Sequence, residues 1–218
     1  MFRVNDIFYS LQGEGRNTGR AAVFIRFAGC NLRCPFCDTD FDAYREMTDA
    51  DILSAIAAYP SRFIVLTGGE PTLQVDEAFV DLLHQHGYEV AMESNGTRPA
   101  PHNLDWLTVS PKSFSRSEGR GARKEEGGTR SEVRTADEIK IVFDENTDVD
   151  SILAPRSSFL LPRPSLLPPR KTPLLYLQPC DTGDPQRNAR IVAACVAYIK
   201  QHPQWRLSLQ THKLIDIP

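Results

Sequence analysis

Three cysteines lie within eight residues of one another in the stretch FAGCNLRCPFCDTDF, residues 27–41. They are Cys30, Cys34 and Cys37, separated by three residues and then by two. A structural zinc site uses four protein ligands, usually as two pairs, and no second pair accompanies this triplet. A four-iron cubane held by three thiolates leaves one iron open for another ligand. The spacing therefore favours an iron–sulfur cluster, with a zinc knuckle or a chance grouping as the alternative.

The other two cysteines have different surroundings. Cys195 lies in RIVAACVAYIK, where the apolar face of a predicted helix makes it a buried core residue. Cys180 follows a predicted strand in LQPCDTG and could be a fourth cluster ligand. Because it is a lone cysteine far along the chain, we favour three ligands.

Alternating strand and helix patterns must position these cysteines. Strands are predicted at AAVFIRFA, RFIVLTGGEP, YEVAMESNGT, LDWLTVSPK, DEIKIVFD, PLLYLQP and WRLSLQTHK. Helices are predicted at TDADILSAIAAYP, VDEAFVDLLHQHG and PQRNARIVAACVAYIKQHP, with Thr48 capping the first, Pro60 ending it and Gly87 ending the second. Repeated strand–helix–strand units of this kind predict a parallel sheet with helices outside it. A full eightfold barrel usually takes about 250 residues. We therefore expect an α/β fold, an abbreviated TIM-like barrel of about six parallel strands with fewer helices.

The composition is ordinary for a globular protein, with 218 residues, 41% hydrophobic and 24% charged. This length predicts a single domain, residues 1–218. A net charge of −3 gives no general attraction to nucleic acid or to an anionic membrane. No apolar run has the length of a membrane span, and MFRVNDIFYSLQGEG lacks a signal-peptide pattern. We expect a cytoplasmic protein whose thiols stay reduced.

Two segments interrupt the pattern of strands and helices. Residues 113–135 are rich in Gly, Ser, Arg and Glu and nearly free of apolar residues, which predicts a mobile surface loop. Its arginines could contact nucleic acid, but the glutamates among them favour a plain solvated loop. Residues 162–173 are proline-rich and predict an extended connection.

The cysteine triplet and the ends of four predicted strands together resemble the radical SAM superfamily. The strand ends are TGGEP (67–71), MESNGT (92–97), VSPK (109–112) and QPCD (178–181). In parallel α/β folds, ligands gather outside the carboxyl ends of strands, so these four ends describe one site. Phe36 matches an aromatic residue that the superfamily places beside its last cysteine.

The resemblance implies a [4Fe-4S] cluster on Cys30, Cys34 and Cys37, with S-adenosylmethionine chelating the open iron. An electron from the cluster would split the sulfonium and give a 5′-deoxyadenosyl radical, so the demanding chemistry belongs to the cofactor. The residues expected to contact the cofactor are Phe36, Cys37, Asp38, Gly69, Glu70, Glu93, Ser94, Asn95, Ser110, Pro111, Lys112, Gln178, Pro179, Cys180 and Asp181.

Motifs at both ends of the chain point to one family within the superfamily. The N-terminal FYSLQGEGRNTGRAAVFIRFAGCNLRC, the PFCDT beside the cysteines and the C-terminal THKLIDIP closely resemble the 7-carboxy-7-deazaguanine synthase family. Members of that family are short, with an abbreviated barrel, and usually form homodimers. The resemblance implies conversion of 6-carboxy-5,6,7,8-tetrahydropterin to 7-carboxy-7-deazaguanine with loss of ammonia, a step toward queuosine and other 7-deazapurines.

A flat pterin with amide edges and a carboxylate suits several residues. Glu14 can accept hydrogen bonds from a guanidine-like edge, and Arg26, a polar residue in the apolar strand VFIRFA, can clamp a carboxylate. On its own, Arg26 would be interpreted as a surface residue. In the family the carboxylate of the last residue, Pro218 here, reaches the pocket. The expected substrate-binding residues are Leu11, Gln12, Gly13, Glu14, Arg26, Thr67, His212 and Pro218.

The resemblance also implies Mg²⁺, with Thr39 as its protein ligand. Hydrogen abstraction from C6, ring contraction, return of the hydrogen to regenerate S-adenosylmethionine and loss of ammonia would follow. No side chain is expected to carry the radical. The expected partners are the pterin, an electron donor such as flavodoxin or ferredoxin, and a second copy of the chain. Ser94 stands where the family more often has threonine, and residues 113–135 are longer than the family pattern predicts.

Two other functions fit parts of the sequence. A glycyl-radical-enzyme activase is also short and carries the compact triplet, but it must dock a large protein. A non-enzymatic iron–sulfur sensor or RNA-binding protein would use the loop at residues 113–135. Neither accounts for the similarity at the two ends of the chain.

Overall fold

The structure is a computed structural model that describes residues 1–37, 43–112, 136–153 and 172–218. The loop predicted at residues 113–135, and all but the last two residues of the predicted connection at 162–173, lie outside these ranges. Strands are β1 (Phe2–Leu11), β2 (Ala21–Phe27), β3 (Arg45–Met47), β4 (Phe63–Gly68), β5 (Glu89–Ser94), β6 (Trp106–Val109), β7 (Glu138–Phe143), β8 (Leu174–Pro179) and β9 (Trp205–Leu207). Helices are α1 (Asp49–Ile56), α2 (Glu77–Gln85), α3 (Val149–Leu153), α4 (Pro185–Gln201) and α5 (Thr211–Leu214).

The strands of the described residues form one sheet in the order β3-β1-β2-β4-β5-β6-β7-β8-β9. From β2 to β9 all neighbours in this order are parallel, whereas β1 and β3 add an antiparallel edge. The sheet does not close on itself, because β3 and β9 remain at its two edges. This confirms the α/β partial barrel, in which the parallel part has one strand more than the six expected.

The elements predicted from periodicity are present, and their ends follow local chemistry. Thr48 caps α1 through a capping box in which its hydroxyl and the Asp51 carboxylate each bond the other's backbone N–H. The helix ends at Ile56, four residues before Pro60. Gly87 follows α2 with φ +77°, a left-handed conformation that glycine adopts without strain.

Strands β1 and β3 were not predicted from the sequence. The register of β1 against β2 shifts between Val4 and Asp6, and this bulge breaks the alternation of apolar and polar residues that would identify a strand. The prediction of one strand over WRLSLQTHK was wrong in its second half, since β9 ends at Leu207 and residues 211–214 form the short helix α5.

The main hydrophobic core lies between the sheet and its helices. Ile52 and Ile56 of α1, Leu83 of α2, and Ile191 and Cys195 of α4 are all fully buried in it. The prediction that Cys195 is a core residue is thereby confirmed. In the part of the chain that the structure describes, no helix has the length and apolar character needed to cross a membrane.

The opposite face of the sheet, called here the inner face, has two unlike halves. On β2, β4 and β5 it carries a small apolar cluster of Ala22, Phe24, Phe63, Val65 and Ala91. From β6 onward the inner face is polar although buried. The buried polar residues on this half are Thr108, Ser110, Glu138, Lys140, Gln178 and Ser208.

The loop after β1 fills one end of this polar half. The backbone N–H of Gly15 donates to the Ser208 hydroxyl (2.9 Å), and that of Arg16 donates to Glu138 (3.0 Å). Gly15 has φ +63°, and a Cβ there would lie 2.0 Å from the Glu138 carboxylate. The loop therefore depends on glycine to cover Glu138. Burial raises the pKa of Glu138 to about 7, against the opposing effects of the Arg16 N–H and of Lys140.

The raised pKa of Glu138 makes folding stability depend on pH. The unfolded chain ionises this group near pH 4.5, so the native state loses stability as pH rises from there to about 7. At 1.36 kcal/mol per unit the cost reaches about 3 kcal/mol above pH 7. We expect Glu138→Gln to unfold at a higher temperature than wild type at pH 8 and at nearly the same temperature at pH 5.

Thermal unfolding at the two pH values measures this difference. Glu46→Gln, on the exposed strand β3, is the matched control and should change the melting temperature by the same small amount at both. If Glu138→Gln changes the melting temperature equally at pH 5 and pH 8, the cost does not come from ionisation.

Candidate functional site

A cavity of about 360 Å³ lies at the carboxyl ends of the parallel strands. It is lined by residues from the cysteine loop, from the loop after β1, from the strand ends and from the C-terminal tail. The predicted site residues that line it are Leu11, Gln12, Gly13, Glu14, Arg26, Cys30, Cys34, Phe36, Cys37, Thr67, Gly69, Glu93, Ser94, Asn95, Ser110, Lys112, Gln178, Pro179, Cys180, Asp181, His212 and Pro218. Glu70 and Pro111 do not line it, and Asp38 and Thr39 lie outside the described residues.

All three cysteines of the triplet face this cavity. Cys30 and Cys34 are half-buried, Cys37 is exposed, and the Cys37 N–H donates to the Cys34 carbonyl (3.0 Å). Burial raises the pKa of the Cys30 and Cys34 thiols, which a bound iron would reverse by stabilising the thiolate. Among the described residues, no three Cys, His, Asp or Glu side chains converge on a single-ion site. A cubane needs a wider arrangement, because each thiolate binds a different iron.

Contacts from the end of β5 and from the cysteine loop itself hold Cys30 in place. The Asn95 amide at the end of β5 donates weakly to the Cys30 sulfur (3.9 Å) and more closely to Asn31 (3.0 Å). The Leu32 N–H also approaches that sulfur (3.4 Å). These donors would bond a thiolate more strongly than a thiol, so the surroundings suit a metal-bound Cys30.

Glu70 has a supporting position behind the cavity wall. Its side chain is fully buried, and one carboxylate oxygen accepts from the Ser94 hydroxyl (2.8 Å) while the other accepts from the Asn95 N–H (2.7 Å). Thr72 donates to it as well, through its N–H and its hydroxyl. The carboxylate thus connects the end of β4 to the end of β5 and orients residues that do face the cavity.

Glu14 lies at the centre of a polar network on the cavity floor. One carboxylate oxygen forms a close ion pair with the Lys140 ammonium. The other accepts from the side-chain amides of Gln178 and Gln210, each at 3.1 Å. Ser208 in turn donates to the Gln178 carbonyl oxygen (3.1 Å), so Gln178 is held at both ends of its amide.

Gln12 extends this network to Glu93. Its amide nitrogen donates to Glu93 (2.9 Å), and its amide oxygen accepts from the Glu14 N–H (3.1 Å). Lys140 lies 3.7 Å from the other oxygen of Glu93. Gln12 lines the cavity, as predicted, and its amide also joins the Glu93 carboxylate to the backbone of Glu14.

The charges on the floor determine one another's ionisation. Burial alone would raise the pKa of Glu14, but the charge of Lys140 and the bonds from Lys140 and Gln210 hold it below its ordinary value. Burial would likewise lower the pKa of Lys140, yet Glu14 and Glu93 raise it. Lys112 is different: burial lowers its pKa, and the Lys140 ammonium lowers it further.

Arg26 lies on the wall opposite this network. It pairs in register with Thr67 of β4, and its guanidinium lies 5.4 Å from the centre of the Phe8 ring. Phe8 stacks on Phe24 with ring centres 4.9 Å apart. The surface interpretation of Arg26 was therefore wrong, because the side chain lines the cavity above an aromatic pair.

The C-terminal tail folds over the remaining side. The Thr211 N–H and hydroxyl both donate to the Gly13 carbonyl (3.0 and 2.9 Å), and Ser10 donates to the Pro218 carbonyl (2.7 Å). A Cβ on Gly13 would lie 2.1 Å from the His212 ring, so glycine is needed for the tail to pack there. Lys213 pairs with Asp181 (3.1 Å) at the rim. Hydrogen bonds to Gly183, Asn188 and Lys213 lower the pKa of Asp181 to about 2.

Sequence reasoning missed several residues of the cavity. Lys140, Gln210, Phe8 and Phe24 all line it. One signal was available for Lys140: in DEIKIVF it shares a strand face with Glu138, and two charges on one face of an otherwise buried strand indicate a polar interior. Gln210 gives no comparable signal, because its position follows from how the tail folds back.

Comparisons with known proteins agree with this geometry. A family model described as the radical SAM superfamily matches residues 24–153. A 7-carboxy-7-deazaguanine synthase of Bacteroides thetaiotaomicron is 43% identical over 218 residues, covering 100% of this chain and 99% of the relative. One from Nitratidesulfovibrio vulgaris is 40% identical over 246 residues, covering 100% and 99%.

A solved structure has the same fold. The crystal structure of QueE from Escherichia coli is 28% identical, covers 95% of this chain and 93% of its own, and superposes with a TM-score of 0.71. Together these matches establish that the chain belongs to the radical SAM superfamily and, within it, to the 7-carboxy-7-deazaguanine synthase family.

Proposed function

We propose that this cavity binds 6-carboxy-5,6,7,8-tetrahydropterin and is where the enzyme converts it to 7-carboxy-7-deazaguanine with loss of ammonia. The atoms of the substrate equal those of the deazaguanine acid plus one ammonia, so the reaction needs no net oxidant. The observation that carries the proposal is that three cysteines and polar residues from both ends of the chain line one cavity. The relatives named above carry the synthase name, and none supports an activase, a sensor or an RNA-binding protein.

The residues present fit a cluster and S-adenosylmethionine. Cys30, Cys34 and Cys37 would hold the cluster. At Gly69 the backbone passes very close to the loop that carries the first of these cysteines. A Cβ on Gly69 would lie 1.9 Å from the Gly29 carbonyl, next to the first cysteine. When bound, the cluster and S-adenosylmethionine supply an electron and a radical able to abstract a hydrogen atom from the substrate.

The remaining wall would hold the rest of S-adenosylmethionine. Hydroxyl and amide groups of Ser94, Asn95 and Ser110 suit ribose hydroxyls and a carboxylate, and Phe36 suits the adenine ring. Lys112 donates to Ser110 (2.9 Å) and lies 5.8 Å from the centre of the Phe36 ring, so it connects these two groups. Glu70 contributes from behind, by orienting Ser94 and Asn95.

The substrate would lie between Arg26 and the floor. The Arg26 guanidinium offers a bidentate clamp for the substrate carboxylate, and Thr67 lies beside it on the neighbouring strand. Glu14 presents a carboxylate to the N–H groups of the guanidine-like edge. Backbone groups of residues 11–13, His212 and Pro218 complete the enclosure.

The protein's own contribution to the reaction is then mostly positioning. Arg26 and Glu14 grip opposite ends of the ring system, which fixes the hydrogen to be abstracted. The tail excludes water through its bonds to Gly13 and Ser10, and exclusion of water protects a radical from side reactions. No residue of the chain is required to carry the radical.

Further parts of the proposal rest on the family resemblance. Thr39 would bind Mg²⁺, with substrate oxygens and water as the other ligands, and Asp38 would contact the cofactor. An electron donor such as flavodoxin or ferredoxin would reduce the cluster. The enzyme would act in the cytoplasm as a homodimer of one-domain chains.

An anaerobic turnover assay tests the function directly. Protein reconstituted with iron and sulfide is mixed with S-adenosylmethionine, a reductant, Mg²⁺ and 6-carboxytetrahydropterin, and products are followed by mass spectrometry. We expect many molecules of the deazaguanine acid per enzyme, and less of it when Mg²⁺ is omitted. Formation of 5′-deoxyadenosine alone would support the radical chemistry and refute the substrate.

Cys34 and Cys180 face the same cavity, but only Cys34 is assigned as a cluster ligand. We expect Cys34→Ser to lose most of the cluster iron and Cys180→Ser to retain it, because only the former supplies one of the three thiolates. Iron and sulfide content after reconstitution measures both. Equal losses in the two variants would contradict the assignment of three ligands.

A substitution at Gly69 tests whether the close approach of its backbone to Gly29 is needed for the cluster and for S-adenosylmethionine. We expect Gly69→Ala to lower cluster content and binding of S-adenosylmethionine, because the new methyl group must displace Gly29 and the loop that carries Cys30. Gly87→Ala is the matched control: it has a positive φ but open space, so it should cost about 1 kcal/mol of stability and leave cluster content unchanged. Normal iron content in Gly69→Ala would refute the role of this contact.

A further inference from the structure

Lys140 is a buried cation between two carboxylates that face the cavity. About 5% of its side chain is exposed, it forms a close ion pair with Glu14, and it lies 3.7 Å from Glu93. It comes from β7, whereas Glu14 precedes β2 and Glu93 belongs to β5. One ammonium group therefore connects three segments that are distant in the sequence.

We propose that Lys140 is a positioning residue that holds the Glu14 carboxylate in one orientation as an acceptor for the N–H edge of the substrate. The inference rests on the proposed function, since it assumes that Glu14 faces the pterin. Lys140 itself need not contact the substrate. Its role is to keep Glu14, a carboxylate that burial would otherwise protonate, as an acceptor.

The hydrogen bonds around Glu14 distinguish a positioning role of Lys140 from simple packing. Both Glu14 oxygens already have partners, namely Lys140 on one side and the amides of Gln178 and Gln210 on the other. These three donors come from β7, β8 and the C-terminal tail, and together they fix the plane of the Glu14 carboxylate. A protonated Glu14 would become a donor and could no longer accept from an N–H group at every lone pair.

Removal of the Lys140 ammonium should change the ionisation of Glu14 more than it changes the shape of the cavity. Glu14 would then be buried without its cation and with the negative charge of Glu93 nearby, and both effects favour the protonated form of Glu14. The other charged or titratable groups that face this cluster are Glu138 on β7, Lys112 after β6 and His212 on α5. Lys140 also lowers the pKa of Lys112 and of Glu138, so the pH dependence of a Lys140 variant reports on this whole cluster and is interpreted together with the control and the double variant below.

Substrate affinity is measured by anaerobic calorimetry with reconstituted enzyme and S-adenosylmethionine but no reductant, so that no turnover occurs. We expect Lys140→Met and Lys140→Gln to weaken binding of 6-carboxytetrahydropterin about thirtyfold at pH 7, the cost of a lost charged hydrogen bond. Because a rise in pH ionises Glu14 again, the loss should shrink at least about fivefold between pH 6.5 and 9. Cluster iron should stay at the wild-type level in both variants.

Lys112→Met is the matched control, because it also exchanges a lysine on the cavity wall for methionine. The Lys112 ammonium donates to Ser110, whereas the ion pairs to Glu14 and Glu93 are made by Lys140, so adding Glu93→Gln should not recover affinity lost in Lys112→Met. Lys140→Met combined with Glu93→Gln restores the net charge of the cluster and should recover part of the affinity. This double variant also serves if Lys140→Met alone is too unstable to purify.

Distinct results would overturn the inference. A loss of the same size at every pH would assign Lys140 to packing, and wild-type affinity in Lys140→Gln would show that no charge is needed. Failure of the double variant to recover any affinity would exclude repulsion between the carboxylates. If wild-type enzyme neither bound nor converted the pterin, the proposed function would fall first, and the inference with it.

Discussion

The close ion pair between Lys140 and Glu14 is the interaction on which the rest of the cavity depends. An ammonium group on the inner face of a sheet, with about 5% of its side chain exposed, is costly unless it is paired and hydrogen-bonded. The pair is therefore surrounded by Gln178, Gln210 and Gln12, each of which uses its amide to satisfy a carboxylate. Because a partly satisfied network is worse than an apolar core, these residues must be placed together.

This requirement explains why both ends of the chain take part in one site. Glu14 is brought to Lys140 by the loop after β1, which itself needs Gly15 to pass over Glu138. Gln210 is brought by the tail, which folds back because Thr211 donates twice to the Gly13 carbonyl. The loop and the tail thus hold each other, and together they line one side of the cavity, where Gln210 bonds the Glu14 carboxylate.

The sequence predicted the parts of this arrangement that obey local rules. Buried parallel strands show as apolar runs, and Thr48 with Asp51 marks the start of a helix. Polar motifs at successive strand ends predicted one site, because parallel strands end at the same edge. Strand β1 was missed because its bulge removes the alternation. The hydrogen bonds from Gln12 to Glu93 and to the Glu14 backbone were not foreseen, because amide partners depend on register and loop path. Such contacts between distant segments leave little trace in local pattern.

The division between groups that face the cavity and groups behind it follows from the same physics. Glu70 is fully buried behind the wall and orients Ser94 and Asn95, whereas Lys140 lines the cavity and itself pairs with Glu14. In both cases a charged residue bonds a polar residue that faces the ligand, and so reduces the motion that binding must remove. A reaction initiated by a reactive radical needs its substrate held in one orientation, away from water. The hydrogen-bonded polar groups around Glu14 supply such rigidity on the cavity floor.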